Sequence, residues 1–277
     1  MNIKTYLKGV GQIMLQNSWV TGAFFLLGIF VSSWSMGIGA VVGVIVGTLS
    51  AVLFKYNKEE IHNGLYGFNG ALVGIALVFF FGFSITTLIL GAVFAILSTY
   101  IMHFMMKKSW KPYTFPFILT TWIAVLLINK LSILSFVSQA GALAKLNIFS
   151  AITEGFGQVM FQGSIIAGIL FFIGIFLHSR KSALFALFGS VLGMLFALGL
   201  GMPLDAISIG LFGYNAVLCA IVFAGDGKKA IVSVYVATAL SVIILDGFMS
   251  FGLIALTAPF VFSTWITEFI RNKFAPK

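Results

Sequence analysis

Apolar residues run along this chain in ten stretches separated by short polar loops, at about 10–31, 37–54, 58–82, 84–106 and 113–129, then 155–177, 182–199, 204–224, 229–247 and 253–270. Such stretches are long enough to cross a hydrocarbon core roughly 30 Å thick as helices. The third of each five is different. It holds Gly64-Leu65-Tyr66-Gly67-Phe68-Asn69 in the first set and Gly210-Leu211-Phe212-Gly213-Tyr214-Asn215 in the second. Two glycines and an Asn among aromatics predict a short half-helix, a turn and a second half-helix. Glycines also let helices pack closely, but the duplication of the whole block, Asn included, points to a break. Broken backbone at membrane depth survives only inside protein or beside a wet cavity.

The two sets of five are copies. A shift of 146 lays residues 9–30 over 155–176 with 11 of 22 positions identical, among them Gly11, Gln12, Met14, Gln16, Ser18 and Gly22. A shift of 143 lays Thr114, Pro116, Phe117, Thr121 and Trp122 over Thr257, Pro259, Phe260, Thr264 and Trp265. Blocks in one order at nearly one offset mean an internal duplication. An odd number of crossings per copy turns the second copy upside down. With a cytoplasmic N-terminus, 14 of the 16 basic residues fall inside, leaving only Lys130 and Lys145 outside, as the positive-inside tendency requires. The expected organisation is a first repeat at 1–130, an external linker at 131–153 and an inverted second repeat at 154–277, both termini cytoplasmic.

Composition narrows the class. At 60% hydrophobic and 8% charged, with a mean hydropathy of +1.12, the chain has too few charges for a soluble globule, where about a quarter of residues are charged. It is read as an all-α polytopic membrane protein with no soluble domain. Lys4 and Lys8 ahead of the first apolar run resemble a signal peptide, but no small-residue cleavage site follows, so the segment is expected to be retained. The net charge of +9 sits in loops between spans, which orients a membrane protein and does not call for nucleic acid. The single cysteine, Cys219, excludes a disulfide framework and a Cys-rich metal site, and is read as a small packing residue. No cofactor or metal is expected.

The candidate chemistry is uncharged. Thr followed within two residues by Pro suits the first turn of a helix, where the hydroxyl can cap free amides. From Lys111 at the aqueous boundary, three extended residues reach roughly 10 Å, so the helix start at Thr114 lies inside the membrane. Its copy at Thr257 would place a second hydroxyl near the same depth. Gln12, Leu15 and Gln16 share a helical face, echoed by Gln158, Phe161 and Gln162; so do Phe68 with Leu72, and Tyr214 with Leu218. An amide recurring among apolar groups is costly unless paired or wet.

This set of blocks resembles the urea transporter family, in its bacterial branch, over nearly the whole chain. The resemblance rests on Gly11-Gln12-Ile13-Met14 and Gly157-Gln158-Val159-Met160, the two broken-helix blocks, and Thr-x-Pro-Phe at 114–117 and 257–260. The family's Leu-Pro-x-x ahead of that Thr is altered here: the first copy has its Pro one place late, at Pro112, and the second has none. The resemblance implies an inverted five-plus-five repeat whose broken, re-entrant helices form a central pore, in a homotrimer of the cell membrane with one pore per protomer. It implies that Thr114 and Thr257 flank the pore centre and that Gln12 and Gln158 hydrogen-bond solute on either side. Phe68 with Leu72, and Tyr214 with Leu218, would be slot walls, faced by Leu15 and Phe161. Tyr214 stands where Phe is common, its hydroxyl lining a mouth or turned away.

Urea fits such a path on chemical grounds. It is flat and neutral, with four N–H donors and one strong acceptor, so apolar plates flanked by hydroxyl, carbonyl and amide oxygens replace its water. A pore without formal charge does not cheaply dehydrate an ion. Passive flux of urea is therefore expected, the alternative being short-chain amides or another small neutral solute. His62, His103 and His178 lie near span ends, against an ammonia channel, and no Asn-Pro-Ala box marks an aquaglyceroporin. No nucleophile–base pair or carboxylate pair is placed at midplane depth, so an enzyme is not expected.

Overall fold

The computed structural model describes residues 2–137 and 146–273, so Lys145, Lys277 and the middle of the expected linker lie outside the described residues. The helices gather into two compact units, Met1–Gly141 and Ala142–Lys277. Among the described residues there is no strand.

The first unit contains α1 (Ile3–Gln12), α2 (Trp19–Ser32), α3 (Trp34–Leu53), α4 (Lys58–His62), α5 (Phe68–Phe81), α6 (Ile85–Lys107) and α7 (Phe115–Lys130). The second unit repeats that order with α8 (Ile148–Gly157), α9 (Ile165–His178), α10 (Arg180–Gly199), α11 (Leu204–Ser208), α12 (Tyr214–Val222), α13 (Lys228–Ser250) and α14 (Ala258–Lys273). The left-handed backbone positions recur as well: Leu15 with Phe161, Gly64 with Gly210, and Tyr113 with Leu256. The duplication thus extends from letters to backbone geometry.

Among the described residues four helices, α3, α6, α10 and α13, are long and apolar enough to cross a bilayer alone. On α6 the large side chains Ile85, Ile89, Val93, Ile96 and Tyr100 are exposed about once per turn. An apolar stripe of that length belongs against lipid rather than water. The protein is a multi-pass, all-α membrane protein.

The remaining predicted stretches form shorter helices, single in α7 and α14 and broken in the first and third of each set. The third breaks where the glycine-aromatic blocks predict: α4 stops at His62 and α5 restarts at Phe68, as α11 and α12 do in the second unit. At 14 residues, α5 is only about 21 Å long at ~1.5 Å per residue, short of a full crossing. Gly64 takes a φ of +77° and Gly210 one of +76°, a region that tolerates glycine best. Further along, α5 lies directly on α3, so that a methyl group on Gly43 would strike the carbonyl of Gly70.

The first crossing departs from expectation. The stretches 10–31 and 155–177 are not continuous helices. α1 ends at Gln12 and α2 begins at Trp19, while α8 with its terminal turn through Met160 meets α9 at a bend of 76°. Ser18 and Ser164 restart the chain by accepting hydrogen bonds from the amides of Thr21 and Ala167. α1 then folds back on α2, close enough that a Cβ on Gly22 would collide with the carbonyl of Leu7.

Candidate functional site

Each unit carries its own set of candidate residues at three backbone interruptions: the end of the first helix, the break ahead of the third apolar helix, and the start of the last helix.

The first interruption explains the break above. Leu15 N donates to the carbonyl of Gln12 at 2.9 Å and Gln16 N to that of Gly11 at 3.1 Å, a paired closure that ends α1. The closure needs a left-handed residue, normally glycine. Leu15 supplies it at φ 62°, and Phe161 does the same at φ 60° in the second unit. A side chain there costs about 1–2 kcal/mol. Leu15 and Gln16 therefore lie beyond the helix and do not share its face with Gln12; the same correction holds for Phe161, Gln162 and Gln158.

Gln12 is tied to the second interruption. Its Nε2 donates to the carbonyl of Asn63 at 2.9 Å, and Gln158 Nε2 donates to that of Ile209 at the same distance. Asn63 and Ile209 are equivalent positions, each following the short helix ahead of the break. One N–H of each amide is spent in this way, which leaves the second N–H and the oxygen, and among the described residues nothing donates to either oxygen.

The third interruption is organised by the Asn of each block. Asn69 Oδ1 accepts from Phe117 N and Asn215 Oδ1 from Phe260 N, both at 3.1 Å and both buried. These asparagines, on α5 and α12, satisfy first-turn amides of α7 and α14 from a different helix. Thr114 holds the N-cap position of α7, yet its side chain makes no capping bond, contrary to expectation. Its φ of −94° and ψ of 12° are not the extended geometry of a capping residue. The cap is borrowed from Asn69.

In the first unit these pieces meet around a cavity of about 280 Å³. Gln12, Leu15 and Phe68 line it together, with Leu65 from the break. Met102 and Met106 of α6 and the segment Trp110-Lys111-Pro112-Tyr113 complete the wall. Leu72, one turn beyond Phe68, is wholly buried and Thr114 nearly so; neither reaches this cavity. Sequence reasoning missed Trp110, Tyr113 and the two methionines. The four-residue spacing of Met102 and Met106, aimed at the same side of α6, was the available signal.

In the second unit Phe161, Tyr214, Leu218 and Thr257 take the matching places. Leu218 is wholly buried, and Thr257 is nearly so. The Tyr214 hydroxyl neither lines a mouth nor hangs free: it donates to the carbonyl of Leu256 at 2.6 Å. Cys219 packs one turn deeper, its Sγ 3.2 Å from Ser263 Oγ of α14. Among the described residues the buried set includes one charged side chain, Glu154, whose Oε1 accepts from Ser150 Oγ. His103 stacks on Tyr56 with centroids 3.6 Å apart and meets the Tyr66 hydroxyl at 3.1 Å, so it lies with aromatics rather than in the cavity wall.

The arrangement sets uncharged oxygens beside apolar walls at places where the backbone leaves helical geometry. The chain matches the family described as urea transporter over residues 3–272. It is 25% identical over 238 residues to urea transporter 1 of Mus musculus and 26% identical over 238 residues to urea transporter 1 of Ovis aries. In each case the match takes in 79% of this chain and 62% of the relative, so the chain spans less than two thirds of these proteins. With the family match running almost from end to end of the duplicated fold, the chain belongs to the urea transporter family.

Proposed function

We propose that this protein is a passive channel for urea in the cell membrane. The observation that carries the reading is the constellation built twice in a chain of this family: a glutamine oxygen beside a strained apolar residue, an aromatic opening a half-helix, and a Thr at a helix start capped from elsewhere. Urea's four N–H groups need acceptors, and the Gln12 and Gln158 oxygens with the Thr114 and Thr257 hydroxyls supply them without charge. Phe68 with Leu72 and Leu15, and Tyr214 with Leu218 and Phe161, are the walls that admit a flat solute. A hydrated cation would surrender tens of kcal/mol of solvation in such a medium with no counter-charge.

The wider organisation belongs to the same reading. The two repeats are oppositely oriented about an axis in the membrane plane, 1–130 and 154–277, joined by an external linker at 131–153, with both termini cytoplasmic. Each protomer of a homotrimer carries its own pore. The protein is a transporter and not an enzyme. Support comes from the basic residues, 14 of 16 on one side in this topology, and from the scarcity of buried charge.

The test is radiolabelled urea uptake into liposomes holding the purified protein, with thiourea and acetamide as competitors. Uptake should equilibrate and stop, and urea should outcompete acetamide. Accumulation of urea above the outside concentration under a proton or sodium gradient would rule out a passive channel. Preference for acetamide would favour the short-chain amide reading.

A further inference from the structure

In the second unit α13 and α14 pack together, and where α13 begins and α14 ends they line a half-open cavity of about 520 Å³. Its walls divide by chemistry. Lys228, Lys229 and Arg271 supply three cations, and Val232, Val236 and Ile270 a greasy side. Among the described residues none of the three cations has a carboxylate partner. The acid nearest to Lys228 in sequence, Asp226, is held by Lys181, whose Nζ lies 2.8 Å from both of its oxygens. Among the described residues these cations are therefore without an ion-pair partner, Arg271 resting instead over the ring of Phe223 with 5.8 Å to its centroid.

A second observation is independent of charge. Thr267 lines the same cavity, is almost fully buried, and its hydroxyl has no hydrogen-bond partner. A helical hydroxyl ordinarily turns back to a carbonyl one turn earlier, as Ser233 does here to Lys229 at 2.8 Å. A buried hydroxyl left unsatisfied at a ligand-sized opening is a group waiting for an acceptor or donor.

We propose that this cavity binds an anionic glycerophospholipid, its phosphate among Lys228, Lys229 and Arg271 and one acyl chain along Val232, Val236 and Ile270. The cations call for a phosphate. The apolar side is what separates a lipid from a free anion, which would gain nothing from it, and a zwitterionic headgroup brings its own cation into a cationic site. The site sits at helix ends, where the proposed topology puts the boundary between headgroups and hydrocarbon.

The experiment uses the full chain in a neutral detergent and follows thermal unfolding on adding phosphatidylglycerol, phosphatidylcholine or inorganic phosphate. Phosphatidylglycerol should raise Tm saturably while the other two do not. Lys228→Gln/Lys229→Gln should weaken half-saturation roughly thirtyfold, since two headgroup-facing cations are lost. Lys107→Gln/Lys108→Gln, which removes the same charge from the first unit, should leave it unchanged. Thr267→Val keeps the shape of the side chain, so it should leave the lipid-free Tm in place and weaken half-saturation about fivefold through one lost hydrogen bond. An equal rise with phosphatidylcholine, a rise with phosphate alone, or the wild-type response in both Lys228→Gln/Lys229→Gln and Thr267→Val would overturn the proposal.

Discussion

Tyr214 and Leu256 are joined by a 2.6 Å hydrogen bond from the phenol to the backbone carbonyl just ahead of Thr257. Leu256 is left-handed at φ 49°, as Tyr113 is at φ 47° in the other unit. There the approach is stiffened by Pro112, whose carbonyl accepts from Phe115 N at 2.9 Å; here Ala255 occupies that place and accepts from Ala258 N at 3.0 Å. The phenol holds by hydrogen bond what the ring of Pro112 holds covalently.

Tyr214→Phe should therefore lower thermal stability and urea flux together, although the aromatic wall is kept. Orphaning a buried carbonyl costs about 1–3 kcal/mol. Adding Ala255→Pro should restore much of the flux. A Tyr214→Phe protein with unaltered flux and Tm would show that the bond holds nothing in place.

Asn69→Ala and Asn215→Ala each remove the borrowed cap of a buried helix start. The expected loss is about 1–2 kcal/mol of stability, with faster amide exchange at Phe117 or Phe260. Exchange that stays slow at both amides would mean that the asparagines do not cap these helices.

Leu15→Gly should relieve about 1 kcal/mol of left-handed strain and open the cavity wall. The signature is a higher Tm with a larger flux of thiourea relative to urea. Phe161→Gly should do the same in the second unit. Selectivity that does not move would take these side chains out of the solute's path.

Thr114→Val and Thr257→Val keep shape and remove one hydroxyl each. If a passing urea exchanges water for that hydroxyl, each substitution raises the barrier by about 0.5–1.5 kcal/mol, slowing flux roughly two- to tenfold with little change in Tm. Full flux in both proteins would remove the hydroxyls from the conduction path.

The duplicated fold and the break in the third crossing were legible because both depend on residues with a one-dimensional signature, the glycine–aromatic–Asn blocks and the constant offset. The end of α1 was not legible, since Leu15 and Phe161 are apolar residues that continue the hydrophobic pattern while occupying positions that ordinarily belong to glycine. Periodicity reads through them. The capping roles were hidden for another reason: Asn69 and Phe117 are 48 residues apart, and no local rule connects them. The Tyr214 hydroxyl likewise finds its partner 42 residues away. Of the candidate site, the residue identities were accessible from pattern and resemblance, whereas the use of each polar group was set by tertiary partners.

The borrowed caps also impose an order on biosynthesis. Asn69 and Asn215 leave the ribosome 48 and 45 residues before the amides they receive, so each helix start emerges after its acceptor. Within a unit nothing translated later is required to finish it. A truncated chain ending soon after residue 130 would hold every atom of the first cap, which makes that fragment a natural probe of how such a protein is inserted.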